Sequence, residues 1–401
     1  MPLADLNRFR AQFPSLANKT YFNYGGQGPL SDRAFEAIIA TQRQIQIEGP
    51  FNGHINTVLQ ANSSVTRSAI ADLLGVPSTT ITLTEDVTVG CNIALWGLDW
   101  QAGDRIVMTD CEHPGVIAAV YEMARRFQLT VTIAPVLATL NSRDPGDPVA
   151  AIVDRLTPRT RLVVLSHILW NTGQVLPLAD INHACHTFPT TTGHTIRVLV
   201  DAAQSVGMLP LDLDAIAVDF YAFTGHKWLC GAAGVGGLYV SDTARLDLAP
   251  TFIGWRGIET NASGDPTGWK PDGRRYEIAT SAYPLYAGLR EAIALHQEWG
   301  TAAERYGAIN ERALHLWSGL QTLDGIHCLS ATPPRSGLVS FTHRSGQHQA
   351  LVAALEAQGF MVRTILHPDC VRACVHYFTT QDEIDRLLNA ISRWPETDCD
   401  L

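Results

Sequence analysis

No apolar run in this sequence approaches the ~20 residues that a helix needs to cross a bilayer. The first residues, MPLADLNRFRAQFPSLANKTYF, lack a charged stretch followed by an apolar one, so they do not read as a secretory signal. Cysteine is sparse. Eight are scattered over 401 residues, at 91, 111, 185, 230, 328, 370, 374 and 399, which is no disulfide framework. A reduced, cytoplasmic chain is expected. Basic charge is also short: 29 Lys and Arg face 39 Asp and Glu, a net charge of -10. An acidic surface repels phosphate backbones and anionic lipid, so neither nucleic acid nor membrane is expected as a partner. There is no internal repeat and no low-complexity tract.

What is present is apolar. The chain is 46% hydrophobic and only 17% charged, so it folds and has the length for two or three structural units. Strand-like runs alternate with helical stretches from about residue 80 to 250: RIVMTD at 105–110, LTVTIAPV at 129–136, RLVVLSHI at 161–168, IRVLVDAA at 196–203 and DFYAFTG at 219–225. Helices are expected between them, as at Gly115–Gln128 and Ala179–Thr187. Near-continuous apolar strands separated by helices predict an α/β fold with a mostly parallel sheet. GVGGLYVS at 234–241 reads as a hairpin-like return strand. After Pro250 the composition shifts. Gly254–Gly273 is expected as a long irregular loop, Ala287–Ser318 as one long helix, and the remainder as a small α+β unit. The expected division is a large α/β domain over 20–255 and a smaller domain formed by 256–401 with 1–19. A site should lie at the carboxyl ends of the parallel strands.

Thr224-Gly225-His226-Lys227-Trp228 follows a strand and precedes a glycine-rich run. Most lysines are solvated surface charges. An apolar neighbourhood lowers a lysine pKa and frees the amine to attack a carbonyl. The local sequence leaves both open. Asp201 ends another apolar strand, 26 residues earlier, about one strand–helix–strand step. An Asp there is either a helix cap or a carboxylate that can share a crevice with Lys227. A pyridinium cofactor needs such a pair: a lysine for its aldehyde and a carboxylate for its ring nitrogen.

With DAAQ, a 26-residue step and TGHKW together, the sequence resembles the fold-type I pyridoxal-phosphate enzymes of the class V aminotransferase group, which includes cysteine desulfurases. The likeness runs from TYFNYGGQG at 20–28 to RACVHYF at 372–378. TYFNYGGQG, CNIALWGLDW, SHILWNTGQVLPL and GHKWLCGAAGVGGLYV are similar to the cystine C–S lyases within that group. The resemblance implies pyridoxal 5'-phosphate, an amino-acid substrate and a homodimer. It implies that Lys227 forms the Schiff base, that Asp201 pairs with the pyridine nitrogen and that Gln204 contacts the phenolic oxygen. His113 matches the imidazole on the pyridine ring and could assist proton transfer; by itself it reads as a surface or capping histidine. Thr88, with the backbone N–H of Val87, matches a phosphate site at a helix N-terminus, and Thr224 and His226 match two further phosphate contacts. Thr280 matches a residue that reaches the neighbouring subunit's phosphate. Asn171, or its neighbours Trp170 and Thr172, should line the substrate side.

Arg372 matches the group's carboxylate-binding arginine and Arg363 a second one; either alone reads as a surface ion pair. Desulfurases carry a nucleophilic cysteine on a mobile loop between these arginines. Here only nine positions separate them, the matching position falls near Pro368, and Cys370 stands in an expected strand. Elimination is therefore expected: cystine losing a persulfide from Cβ, with pyruvate and ammonia as the other products. Trp255 could wall the disulfide half of the substrate, or be an interface or core residue. Cysteine or selenocysteine desulfurases, epimerases and aminotransferases would share these cofactor residues, and a catalytically silent cofactor-binding protein could retain them. The glycines at 231–237 do not follow the strand–GxGxxG–helix order of a dinucleotide site. Cys370, Cys374 and His376 share an expected strand face with Arg372, but their spacing fits no common zinc pattern.

Overall fold

A computed structural model of the chain describes residues 3–140, 146–191 and 193–394. Cys399 lies outside the described residues. The strands are β1 (Thr20–Tyr21), β2 (Ile81–Thr84), β3 (Arg105–Thr109), β4 (Thr130–Ala134), β5 (Thr160–Ser166), β6 (Arg197–Asp201), β7 (Phe220–Thr224) and β8 (Gly236–Val240). There follow β9 (Ile258–Thr260), β10 (Pro266–Trp269), β11 (Ile326–Cys328), β12 (Leu338–His343), β13 (Phe360–Met361), β14 (Arg363–Leu366) and β15 (Asp369–Cys374).

The central sheet has seven strands in the order β2-β8-β7-β6-β5-β3-β4. Its neighbours pair in parallel except at β8, which runs against β2 and β7. All seven residues of β5 are buried, as an apolar strand covered on both faces requires. Helices cover both faces. Two apolar clusters result, one around Val163, Val198 and Tyr221, the other around Leu162, Leu199 and Phe220. Alternate residues of each strand feed opposite clusters, the period-2 rule of a pleated strand.

A second sheet has the order β11-β12-β15-β14 and is antiparallel throughout. Phe22, next to β1, joins its core, and β1 pairs with β13. Two long helices, Tyr283–Trp299 and Ala302–Gln321, run between the two sheets in sequence.

The single helix expected over Ala287–Ser318 is therefore two. Thr301 and Glu304 form a capping box, which satisfies the N–H groups of a new helix start where a continuous helix would have none free. The loop expected over Gly254–Gly273 contains the β9–β10 hairpin. Its turn is built by Asn261, whose side-chain oxygen accepts from the N–H groups of Ser263 and Asp265, with Gly264 at φ 86°.

Candidate functional site

The carboxyl ends of β7, β6 and β3 carry Lys227, Asp201 and His113. After β7, Gly225 to Cys230 form a tight loop that carries Lys227. Neighbouring β6 ends at Asp201, whose register partner is Ala222 of β7. Asp201 is buried, and one carboxylate oxygen caps the Ala203 N–H at 2.9 Å. Capping and a crevice-facing role are thus compatible, because the second oxygen remains. Lys227 is partly buried. Burial pulls its amine down to about 8, Asp201 opposes that shift, and the Arg372 and Arg363 charges add to it.

His113 closes the connection after β3 and caps the helix Pro114–Phe127, its Nδ1 accepting from Gly115 N–H at 3.2 Å. Its ring meets Trp170 edge-on at 5.3 Å. Burial and then the Lys227 charge lower its pKa, so the imidazole is neutral near neutral pH. Thr88 lies in the first turn of Val87–Gly97, whose N-cap is Asp86. A Cβ built on Gly115 would lie 3.4 Å from His113 Nδ1 and 3.9 Å from Thr88 Oγ1, so both side chains face one spot. The same helix presses on β7: a Cβ at Gly90 would come within 2.8 Å of the Ala222 Cβ. Only glycine lets this N-terminus approach so closely. Thr224 Oγ1 and His226 Nδ1 stand 2.6 Å apart beside it.

From the second sheet come the arginines. Arg363 and Arg372 are cross-strand partners on β14 and β15. Like charges placed opposite each other repel unless an anion sits between them. Arg372 is buried; it donates to Trp170 O at 2.6 Å, while its Nε has no partner. Asn171 is buried and donates from Nδ2 to His367 O at 2.9 Å. Gln204 is engaged at both ends, accepting from Trp228 Nε1 at 2.8 Å and donating to Gly25 O at 2.9 Å; its amide retains one further hydrogen.

Thr280 and Trp255 both line a cavity of about 900 Å³; Thr280 also lines a smaller one of about 260 Å³ with Glu85 and Val89, which flank the start of the helix Val87–Gly97. Trp255 is 62% exposed.

The β14–β15 turn is a two-residue hairpin at His367-Pro368, closed by the Leu366–Asp369 pair. Cys370 is fully buried in β15, and burial pushes its thiol up to about 12. Glu112 was not singled out from the sequence. It is buried beside Asp201 and accepts from Ser166 N–H at 2.9 Å, Ser166 Oγ at 2.8 Å and Thr109 Oγ1 at 2.5 Å. Burial raises it to about 8, so it is largely neutral at pH 7. An acid one residue before His113 at the end of an apolar strand was the available signal.

The donor set suits a phosphorylated pyridine aldehyde. It offers an amine of lowered pKa, a buried carboxylate on the adjacent strand, and a helix N-terminus with hydroxyls. The comparisons agree. The aminotransferase class-V family model matches residues 53–387, and the chain belongs to that family. Class V aminotransferases use pyridoxal phosphate. A structure of the cystine C–S lyase C-DES with its reaction product cysteine persulfide is 51% identical over 96% of this chain and 100% of that one, with a TM-score of 0.92. A lysine-to-alanine mutant of C-DES, with glycine covalently linked to the pyridoxal-phosphate cofactor, is 52% identical over 96% of this chain and 99% of that one, at a TM-score of 0.93. Isopenicillin N epimerase of Streptomyces clavuligerus is 29% identical over 98% of both chains. A probable cysteine desulfurase of Xylella fastidiosa (strain 9a5c) is 28% identical over 81% of this chain and 78% of its own.

Proposed function

We propose that this protein is a pyridoxal-phosphate-dependent lyase that eliminates cysteine persulfide from L-cystine, leaving pyruvate and ammonia. The observation that carries the reading is the placement of Lys227 and Asp201 at neighbouring strand ends, facing the Arg363–Arg372 pair. Bound there, pyridoxal phosphate supplies an electron sink for the carbanion formed at the substrate Cα. Asp201 would keep the pyridine nitrogen protonated, and Gln204 would offer its remaining amide hydrogen to the phenolic oxygen. His113 would pack against the ring, and Val87 N–H, Thr88, Thr224 and His226 would hold the phosphate. Arg372 and Arg363 would hold the substrate carboxylate, with Asn171 on that side. Lys227, neutral in part near pH 8, removes the Cα proton.

The hairpin favours elimination over desulfuration. A two-residue turn has no reach, and the thiol that follows it, Cys370, is buried and protonated. The likeness to C-DES, whose product is cysteine persulfide, supports the same reading. A persulfide is a far better leaving group than the hydrosulfide that cysteine would release. Lys227→Ala should lose the borohydride-fixed bond between protein and cofactor, read by mass, and pyruvate formation from cystine. A K227A protein that eliminates at the wild-type rate would remove the assignment.

The active unit is a homodimer in this reading. Phe51, Phe252 and Trp255 expose most of their apolar surface around or near the cavity that Thr280 lines, and surface of that kind marks an interface. Thr280 then reaches the partner's phosphate site, and Trp255 walls the disulfide half of the substrate. A reduced, cytoplasmic setting fits the seven described cysteines, all free. No described helix is long and apolar enough to cross a membrane.

A further inference from the structure

The loop that carries Lys227 is held by its carbonyls, and the five from Gly225 to Leu229 can each be accounted for. Gly225 O accepts from Gly231 N–H at 2.9 Å, His226 O from Gly28 N–H at 2.7 Å, and Lys227 O from Cys230 N–H at 3.0 Å. The next two are met by imidazoles. His376 Nε2 lies 3.0 Å from Trp228 O, and His296 Nε2 lies 2.7 Å from Leu229 O. A ring nitrogen facing a carbonyl must carry the proton, so each histidine donates through Nε2. Both are buried. Burial brings His296 down to about 4 and His376 well below its usual range, so neither is charged at working pH.

The two rings stack at 5.7 Å and 30°, and His376 stacks on the Trp228 indole at 5.6 Å and 18°. His296 Nδ1 is hydrogen-bonded to the Tyr377 hydroxyl, which fixes its tautomer. The donors come from outside the central sheet. His296 is on the helix Tyr283–Trp299. His376 stands four residues beyond Arg372 on the continuation of β15, where Val375 N–H still bonds Gly337 O at 2.8 Å. A Cβ at Gly337 would strike the Trp228 ring at 2.7 Å, so the indole is seated against the second sheet.

We propose that His376 and His296 are positioning residues for the Lys227 amine: they pin the two peptide carbonyls that follow it, and His376 ties that loop to the strand bearing Arg372. Neither touches substrate or cofactor. The inference rests on the reading of Lys227 as the cofactor lysine. Loss of either donor leaves a buried carbonyl unpaired and lets the loop relax, so the amine is held less closely over the reacting carbon.

The test compares two changes at one position in the holoenzyme. His376→Phe keeps a ring and deletes the donor. His376→Gln keeps an N–H at about the reach of Nε2. The readouts are kcat and KM for pyruvate formation from cystine, and the visible circular dichroism of the bound cofactor, which reports how rigidly it is held. H376F should lower kcat about tenfold, leave KM within about twofold, and weaken the dichroic band. H376Q should recover most of both. Equal losses in H376F and H376Q would mean that the ring only fills space, and an unchanged kcat and dichroic band in H376F would remove the role altogether. If H376F does not fold, the Phe and Gln changes at His296 carry the same expectations. A wrong cofactor lysine shows up separately, as a borohydride-fixed bond between cofactor and protein that survives in K227A. If cystine is not the substrate, the dichroic readout still decides.

Discussion

At Lys227 two effects compete. Burial disfavours the ammonium, and Asp201 favours it; burial wins, and the amine comes down to about 8. An amine attacks an aldehyde only when unprotonated. The rate at which apo-protein takes up pyridoxal phosphate should therefore rise through about pH 8 and level off above it, measured by visible absorbance after mixing. A rise that begins only near pH 10 would mean a solvated lysine. Glu112 gives the opposite sign. Its carboxyl, raised by burial to about 8, is protonated in the folded protein while the unfolded chain has already ionised. Its contribution to stability is complete below about pH 4.5 and falls as pH rises toward 8. Glu112→Gln, neutral at every pH and able to keep the Ser166 and Thr109 contacts, should flatten that fall in urea midpoints taken from pH 5 to 8. An unchanged slope would remove Glu112 as its source. Lys227 and Asp201 were legible because each ends an apolar run at a spacing one strand–helix–strand step allows. Glu112, His296 and His376 were not, because their partners are backbone groups and hydroxyls brought close only by folding.

Among elements, close approach does most of the work. The helix Val87–Gly97 can aim its N-terminus at the crevice because Gly90 has no side chain against Ala222. Gly90→Val should push that helix off β7, cost roughly 1–3 kcal/mol in overpacking strain and weaken cofactor affinity as well, read by equilibrium dialysis beside a thermal melt. Stability lost with affinity unchanged would show that the helix does not serve the phosphate. The segment leading to Thr280 is fixed by Glu277, which bridges Arg67 at 2.7 Å and Arg256 at 2.8 Å and also accepts from Leu83 N–H. All three charged side chains are largely buried, so Glu277→Ala strands two cations and should cost about 3–5 kcal/mol. The parallel strands were readable from their apolar runs, and the structure places them within a few residues of the expected spans. The break at Gly300 and the β9–β10 hairpin were missed for a common reason. Each is set by a few side-chain-to-backbone bonds, at Thr301 and at Asn261, that leave the wider hydrophobic pattern almost unchanged.

In the whole molecule, the crevice draws on both sheets. The central sheet brings Lys227 and Asp201, and the antiparallel sheet brings Arg363 and Arg372. Thr280 and Trp255 line a cavity of about 900 Å³ bordered by exposed aromatic side chains, which is why a second subunit belongs to the proposed active unit. Mixing K227A and Thr280→Val chains tests this. A mixed dimer carries one site with an intact lysine from one chain and an intact threonine from the other, so activity should exceed that of either parent. No recovery, with T280V alone impaired, would place Thr280 in its own chain's site or in none. The resemblance in sequence reached the family and a cofactor that structure and comparison both support. The substrate wall was less readable, since it depends on how long the β14–β15 turn is once both strands have paired. That turn also decides the chemistry most directly. Purified holoenzyme would be incubated with L-cystine and, separately, with L-cysteine, without reductant, and pyruvate and alanine quantified in each. Pyruvate formed chiefly from cystine is the result that elimination predicts; alanine formed from cysteine would contradict it and make the buried Cys370 a nucleophile after all.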